Sequence, residues 1–193
     1  MRRTGDAVIS DLDDRTVMDA RGSVRSIQAA TVTTPQGRLE ALWTPTYLER
    51  LARTYWKYLS RVSLGLIRVE YTETERRVVL LRRPFVLLRF HAPEYEITDG
   101  RGIVRWRITD GVLVAKRDEG YLEIDVRRTD PEDADYDQAH VEVEVANFYP
   151  RIATSVARWA YKATQSRIHV LVTHAFLRSL AKLELEASRG GAL

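Results

Sequence analysis

Alternation of apolar and charged residues between Val62 and Tyr149 constrains the fold of this 193-residue chain more than any other feature. Aliphatic side chains alternate with Arg, Asp and Glu in short runs, the clearest of them centred on Ile124 and Val143. This pattern is typical of antiparallel strands that have one face on a core and the other in water. Asp99-Gly100 and Asp110-Gly111 predict hairpin turns between consecutive strands. We therefore expect a meander of about six strands here.

Helical patterns lie on both sides of this meander. Ser23–Thr33 is rich in β-branched residues and predicts a first strand. Thr34-Pro35 and Thr44-Pro45 each place a capping hydroxyl before a proline, which favours the start of a short helix at both points. After Pro150, apolar residues recur at helical spacing to about Ala187, which predicts one long C-terminal helix.

The same patterns predict the domain organisation. Residues 1–22 show no sustained period and are expected to form a mobile arm outside the fold. Residues 23–188 are expected to form a single domain, and residues 189–193 a disordered tail. Helix segregated from antiparallel sheet is the α+β class, in which a curved sheet of about seven strands would cover the long C-terminal helix.

This order of elements resembles the START-like superfamily, also called SRPBCC, whose fold is the helix-grip. The resemblance spans roughly Val24 to Leu185 and rests on element order rather than on a specific motif. Its local part resembles the first strand and helix pair of that superfamily, and consists of Thr34-Pro35, Leu39, Trp43, Tyr47-Leu48 and Trp56. The resemblance implies a cavity between the sheet and the terminal helix that takes up lipids, sterols, polyketides or similar apolar molecules. Its members include transfer proteins, cyclases, dehydratases and stress proteins.

A hydrophobic ligand would meet the inward side of the strands and the small-residue stripe of the C-terminal helix. Asn147 shares strand parity with Val143 and Val145, which predicts a buried amide, and Tyr161 would join it in orienting an apolar ligand. The plainer interpretation is that Asn147 ends a strand and that Tyr161 reaches solvent. The predicted ligand-binding residues are Trp106, Asn147, Tyr161, Thr164, Ile168, Leu171, Arg89 and His91.

Three functions stay open at this point. The first is a noncatalytic carrier of a hydrophobic small molecule. The second is a cyclase or dehydratase of the same fold, which would be favoured if Arg89 or His91, on either side of Phe90, pointed inward beside Asn147. The third is an assembly module with a solid interior, in which the long C-terminal helix would form a homodimer.

Two acidic patterns resemble metal sites. Asp133, Asp135, Asp137 and Glu144 match the first, third, fifth and twelfth positions of a calcium loop, but Gln138 occupies the position where the turn needs glycine, so we interpret the segment as an acidic loop. The other candidate ligands share one strand face, which we interpret as pairing with arginines across strands; they are His140, Glu142 and Glu144. We therefore predict neither a metal nor a cofactor.

Composition narrows the function classes further. The chain has 30 basic and 27 acidic residues, and the resulting net charge of +3 is weak support for a nucleic-acid partner. It has no cysteine, so neither a disulfide nor a cysteine nucleophile is possible. Arginine outnumbers lysine, and we interpret its clusters on the strands as salt-bridge ladders. No Walker loop, dinucleotide fingerprint or nucleophile elbow is found. Because no segment has the roughly 20 apolar residues of a membrane span and the N-terminus is charged, we expect a soluble cytoplasmic protein.

Overall fold

A computed structural model describes residues 7–72, 74–80, 86–149, 176, 177 and 180, the side chains of 41, 42 and 80 excepted. In this part of the chain, nine strands form an antiparallel sheet that packs against one α-helix. The strands are β1 (Val8–Met18), β2 (Val24–Pro35), β3 (Ile67–Tyr71), β4 (Glu75–Leu80), β5 (Val86–His91), β6 (Glu94–Thr98), β7 (Arg101–Asp110), β8 (Tyr121–Thr129) and β9 (Tyr136–Phe148). A 3-10 helix, Glu40–Trp43, and α1, Pro45–Val62, connect β2 to β3. These elements confirm the predicted α+β class.

The strands are ordered β1-β2-β9-β8-β7-β5-β4-β3, so β9, the last strand of the meander, pairs with β2, and β3, its first strand, lies at the far edge of the sheet. Strand β7 pairs with β8 along one edge. Along its other edge it pairs first with β6 and then, near Ile108 and Asp110, with β5. The sheet therefore divides beside β7, and α1 packs against β3, β6 and β7 at this division.

Helix α1 begins where the sequence predicts it. The Thr44 side chain accepts a hydrogen bond from the Tyr47 N–H at 3.4 Å, and Pro45 occupies the first turn, where its missing N–H costs nothing. The buried stripe of the helix recurs at three- and four-residue spacing and comprises Leu48, Leu51, Ala52, Tyr55 and Trp56. This stripe places α1 on the inner face of the sheet.

The core lies between α1 and the sheet. On β7, β8 and β9 the apolar residues of the alternating runs are buried, Val145 only partly, and the charged residues lie on the other face, as the alternation predicts. On that face Glu123, Asp125 and Glu144 are also buried. Phe176, Leu177 and Leu180 are helical and buried, and the Phe176 ring meets the Tyr55 ring edge-on with their centroids 5.9 Å apart. Burying each such aliphatic or aromatic side chain stabilises a fold by about 1.5–3 kcal/mol.

Three predictions about the elements are wrong. Residues 8–18 do not lie outside the fold, since they form β1, which pairs with β2 from Val8 to Met18. The sheet has nine strands within the described residues rather than about seven. No helix begins at Thr34-Pro35, because β2 continues to Pro35 and pairs there with Tyr136 of β9; at the end of a strand the missing proline N–H is tolerated.

The two predicted turns have different outcomes. Asp99-Gly100 forms the β6–β7 hairpin turn, with Gly100 at a φ of +76°. Asp110-Gly111 does not form a tight hairpin, because residues 111–120 separate β7 from β8. The chain first runs beside β5, where the Leu113 N–H donates to the Leu87 carbonyl at 3.1 Å, before it returns to the sheet.

Three predictions lie outside the described residues: the long C-terminal helix, the boundary at residue 188 and the tail 189–193. Beyond residue 149 the structure describes only Phe176, Leu177 and Leu180. No helix within the described ranges is both long and apolar enough to cross a bilayer.

Candidate ligand-binding site

A recess of about 340 Å³ lies between α1 and the divided part of the sheet. Five elements and two connections contribute to its wall. The lining residues are Glu49, Ala52, Arg53 and Trp56 of α1, Tyr71 and Thr72 at the end of β3, Arg76 of β4, Pro93, Tyr95 of β6 and Trp106 of β7. Its volume is within the range of roughly 300–1,000 Å³ that is usual for small-molecule pockets.

Two tryptophans form the rigid side of the recess. The rings of Trp56 and Trp106 meet edge-on, with centroids 5.3 Å apart, and Trp56 also contacts Phe90 at 5.4 Å. Trp56 is 3% exposed and Trp106 is 1% exposed. Because both rings are held by their neighbours, this wall is pre-formed for flat apolar groups.

Two arginines lie against one tyrosine at the open side. The guanidinium carbons of Arg53 and Arg76 are 5.7 Å and 5.1 Å from the centroid of the Tyr71 ring, which is within cation–π distance. Tyr71 itself is 43% exposed. Arg53 also approaches Glu49, one turn earlier on α1, at 4.0 Å. The recess thus joins an aromatic interior to a charged mouth.

Tyr95 supplies a neutral hydroxyl to the same wall. Burial, with a smaller contribution from the nearby Glu49 carboxylate, raises the pKa of Tyr95 to about 12. The phenol therefore stays protonated at neutral pH, when it can donate a hydrogen bond but is a poor general base.

Two donors in this wall lack acceptors. Trp56 Nε1 and Arg53 Nε are buried and have no hydrogen-bond partner. Such groups are uncommon, because a buried donor without a partner loses the hydrogen bonds that it makes in water. A ligand that carries oxygen atoms is the kind of molecule that would satisfy them.

Of the residues predicted to bind a ligand, Trp106 lies in the recess. Arg89 and His91 do not. They lie on the side of β5 opposite the buried Phe90, where Arg89 is in contact with Asp110 at 3.3 Å and His91 is exposed. The prediction that one of them enters the interior is therefore wrong.

The prediction that Asn147 is a buried amide is also wrong. Asn147 is exposed and has a φ of +50°. Between the pairs Ser26–Val145 and Val24–Phe148, β9 has one residue more than β2, which is a β-bulge. The extra residue reverses the alternation, so that Phe148 is buried instead. The remaining predicted residues, Tyr161, Thr164, Ile168 and Leu171, lie outside the described part of the chain.

Sequence reasoning missed Glu49, Arg53, Tyr71, Arg76 and Tyr95 as site residues. The signal on α1 was present, because Glu49, Arg53 and Trp56 recur at the three- and four-residue spacing that places side chains on one helix face. The others come from β3, β4 and β6, whose approach to this face depends on the sheet order.

Carboxylates on β8 and β9 form ion pairs with arginines, and Glu144 is the one residue of the predicted His140, Glu142 and Glu144 face for which the described structure shows such a pair. Asp125 accepts hydrogen bonds from Arg101 and Arg127 at 2.8 Å and 2.6 Å, and Glu144 pairs with Arg25. In the loop before β9, Asp137 accepts the Gly37 N–H at 2.7 Å. Within the described ranges, no three His, Cys, Asp or Glu residues are grouped as metal ligands.

Comparison with known proteins gives distant structural similarity. No family model and no curated protein matches the chain. Among solved structures, human STARD10 is 9% identical, with a TM-score of 0.34 over 89% of this chain and 73% of its own. Norcoclaurine synthase from Thalictrum flavum, solved with dopamine and hydroxybenzaldehyde, is 11% identical, with a TM-score of 0.34 over 92% and 98%. A protein from Arthrobacter aurescens is 12% identical, with a TM-score of 0.37 over 93% and 94%. The START-like assignment stays a prediction from the sequence.

Proposed function

We propose that this protein is a noncatalytic binding or carrier protein for a small, mainly apolar molecule, which it holds in the recess beneath α1. The observation that carries the proposal is the set of four aromatic side chains that line one recess of ligand size: Trp56, Tyr71, Tyr95 and Trp106. Aromatic walls with a few polar groups are the usual make-up of small-molecule sites.

The arrangement favours binding over catalysis. Tyr95 is held neutral by its raised pKa of about 12, and the Glu49 carboxylate has Arg53 at 4.0 Å. A general base needs a pKa near the working pH, which Tyr95 does not have. The rigid edge-on contact of Trp56 with Trp106 is suited to holding a ring in place.

The recess is also small for a large lipid. At about 340 Å³ it lies near the lower end of the usual range, which favours a ligand of one or two rings over a diacyl lipid. Among the sterols and polyketides that the START-like resemblance implies as ligands, the recess therefore favours the smaller and flatter molecules.

A substitution that fills the recess tests this proposal. Ala52 is 4% exposed and lines the recess, so Ala52→Leu adds three carbon atoms to that space. We expect a neutral fluorescent probe, phenylnaphthylamine, to bind the wild type and to quench its tryptophan emission. We expect Ala52→Leu to weaken binding at least roughly tenfold, as a lost or blocked apolar contact of about 1.4 kcal/mol would.

The matched control is Thr46→Leu, which adds an apolar side chain at an exposed position of the same helix. Its affinity for the probe should equal that of the wild type. Equal affinities for the wild type and Ala52→Leu, or no binding by the wild type, would exclude the recess as the site. Native mass spectrometry of the purified protein would then identify any apolar molecule that copurifies.

A further inference from the structure

We infer that the natural ligand of the recess carries an acidic group, a carboxylate, sulfonate or phosphate on a flat ring system, and that Arg53 and Arg76 bind it. The inference rests on the proposed function, because it assigns the polar end of a ligand whose apolar body lies against the tryptophans.

The first argument is position. Arg53 comes from α1 and Arg76 from β4, yet both guanidinium groups lie over the ring of Tyr71. Tyr71 lines the recess and is 43% exposed, so both positive charges lie close to the ring at the mouth, where a ligand enters. Stacking on one ring restricts both side chains, which lowers the entropy lost when they bind a third group.

The second argument is charge balance. Arg53 has Glu49 at 4.0 Å, the limit of an ion pair. Arg76 Nη1 donates to the backbone carbonyls of Thr72 and Glu75, and these contacts fix its orientation without neutralising its charge. The described lining of the recess therefore holds two guanidinium cations and one carboxylate. Elsewhere on the sheet, arginines are matched to carboxylates, as Arg107 is to Glu94.

The third argument is chemical fit. A guanidinium group presents forked N–H donors that match the oxygens of a carboxylate, sulfonate or phosphate. Arg53 Nε is buried without a partner, and an oxyanion drawn into the mouth would supply the acceptor that it lacks. The aromatic walls lower the local polarity, and this strengthens such charge-assisted hydrogen bonds.

Two probes that differ by one acidic group test the inference. Anilinonaphthalene sulfonate and neutral phenylnaphthylamine share the same ring body, so their affinities should be compared by fluorescence titration. We expect the sulfonate to bind the wild type about tenfold more tightly, the effect of one good charge-assisted contact. Added salt should lower the affinity of the protein for the sulfonate and leave its affinity for the neutral probe unchanged, because salt screens charges near the surface.

Substitution of the arginines should remove this preference. Arg53→Gln and Arg76→Gln should each lower the ratio of the sulfonate's affinity to that of the neutral probe several-fold. Arg76→Lys, which keeps the charge but loses the fork, should keep part of the preference. Arg107→Gln is the control, since Arg107 follows Trp106 on β7 but is exposed and pairs with Glu94 on the opposite face.

Each result decides between the two proposals. If the neutral probe binds and the sulfonate binds no better, the acidic group is excluded and the binding function stands. If Arg53→Gln combined with Arg76→Gln keeps the preference, the assignment of the acidic group to these two arginines is excluded and the binding function stands. If neither probe binds the folded wild type, both proposals fail. The salt titration needs no variant, so the inference is tested even if an arginine substitution prevents folding.

Discussion

Asp125 shows how single residues tie the outer face of the sheet together. Its side chain is 4% exposed, and both of its oxygens accept hydrogen bonds from arginines on β7 and β8. Burial opposes ionisation of this carboxyl, but the hydrogen bonds from Arg101 and Arg127 outweigh it, so the pKa of Asp125 lies below its usual value. Since β8 is central to the sheet, this carboxylate stabilises strands that the recess depends on.

Asp125→Asn should therefore remove a pH-dependent part of the stability. Because the folded pKa of Asp125 is lowered, its contribution is fully present above the unfolded value of 3.8 and is lost as the pH falls through the folded pKa. We expect the free energy of unfolding of the variant to be about 1–3 kcal/mol lower at neutral pH, because Arg101 and Arg127 lose their charged acceptor. The difference should be smaller at acid pH, where the Asp125 carboxyl of the wild type is itself protonated. Urea unfolding across the acid range measures both effects.

The comparison variant is Glu94→Gln. Glu94 also has a pKa lowered, mainly by its hydrogen bond from Arg107, but both partners of this pair are more than half exposed. Its effect on unfolding should be much smaller because solvent screens exposed pairs. If the free energies of unfolding of Asp125→Asn and the wild type differed by the same amount at every pH from neutral to acid, the predicted pH-dependent contribution of Asp125 would be contradicted.

Among the elements, α1 and β7 approach each other unusually closely, and glycine permits it. A Cβ atom built on Gly102 would lie 2.8 Å from Leu48 Cδ2, and Leu48 is completely buried. The close approach brings the Trp56 end of α1 onto Trp106 of β7, so the same contact shapes the tryptophan wall of the recess.

Gly102→Ala should destabilise the protein by about 1–3 kcal/mol, since an added methyl group in a packed core displaces its neighbours. Leu48→Val shortens the side chain that the methyl group meets, so the double variant should be more stable than the sum of the two single changes predicts, by at least about 0.5 kcal/mol. Urea unfolding of the four proteins completes the cycle. Additive effects would mean that α1 is free to move away from β7.

The elements also show what the sequence predicts well. The alternation on β7, β8 and β9 and the Thr44 cap of α1 are local, and both are confirmed because each strand or helix start is specified within a few residues. The bulge at Asn147 is not local, since it depends on pairing with β2 more than 100 residues earlier. One inserted residue reverses every later position, which is why parity misplaced this side chain.

The recess was less predictable than the sheet for the same reason. Arg53 and Arg76 belong to different elements and meet only because β3 and β4 lie at the end of a sheet order that the sequence does not specify. Trp106 was predicted because its strand alternates clearly. Tyr71, the ring that holds both arginines, ends a short strand that showed no regular pattern of faces.

At the scale of the whole molecule, β1 pairs with the edge of β2, which would be unpaired if these residues formed the predicted mobile arm. Gln28 of β2 is 2% exposed, and its Nε2 donates to Asp14 of β1 at 3.0 Å and to Ser26 at 2.9 Å. Thr16 of β1 and Ser26 share a further hydrogen bond of 2.7 Å. Without β1, the edge of β2 would be exposed and a buried amide would lose an acceptor.

A variant that lacks residues 1–18 should therefore melt at a lower temperature and associate through β2. Each kcal/mol lost lowers the melting temperature of a domain of this size by roughly 2–4 °C, so we expect a decrease of at least about 5 °C. An unpaired strand edge is a template for pairing with a second chain, so light scattering should detect oligomers. Leu12→Ser, which changes a 59% exposed side chain of β1 and keeps its backbone pairing, should stay close to the wild type in both measurements. A truncated protein that stays monomeric and melts at the temperature of the full-length chain would contradict this role of β1, because loss of a paired strand that supports the buried Gln28 amide should lower stability.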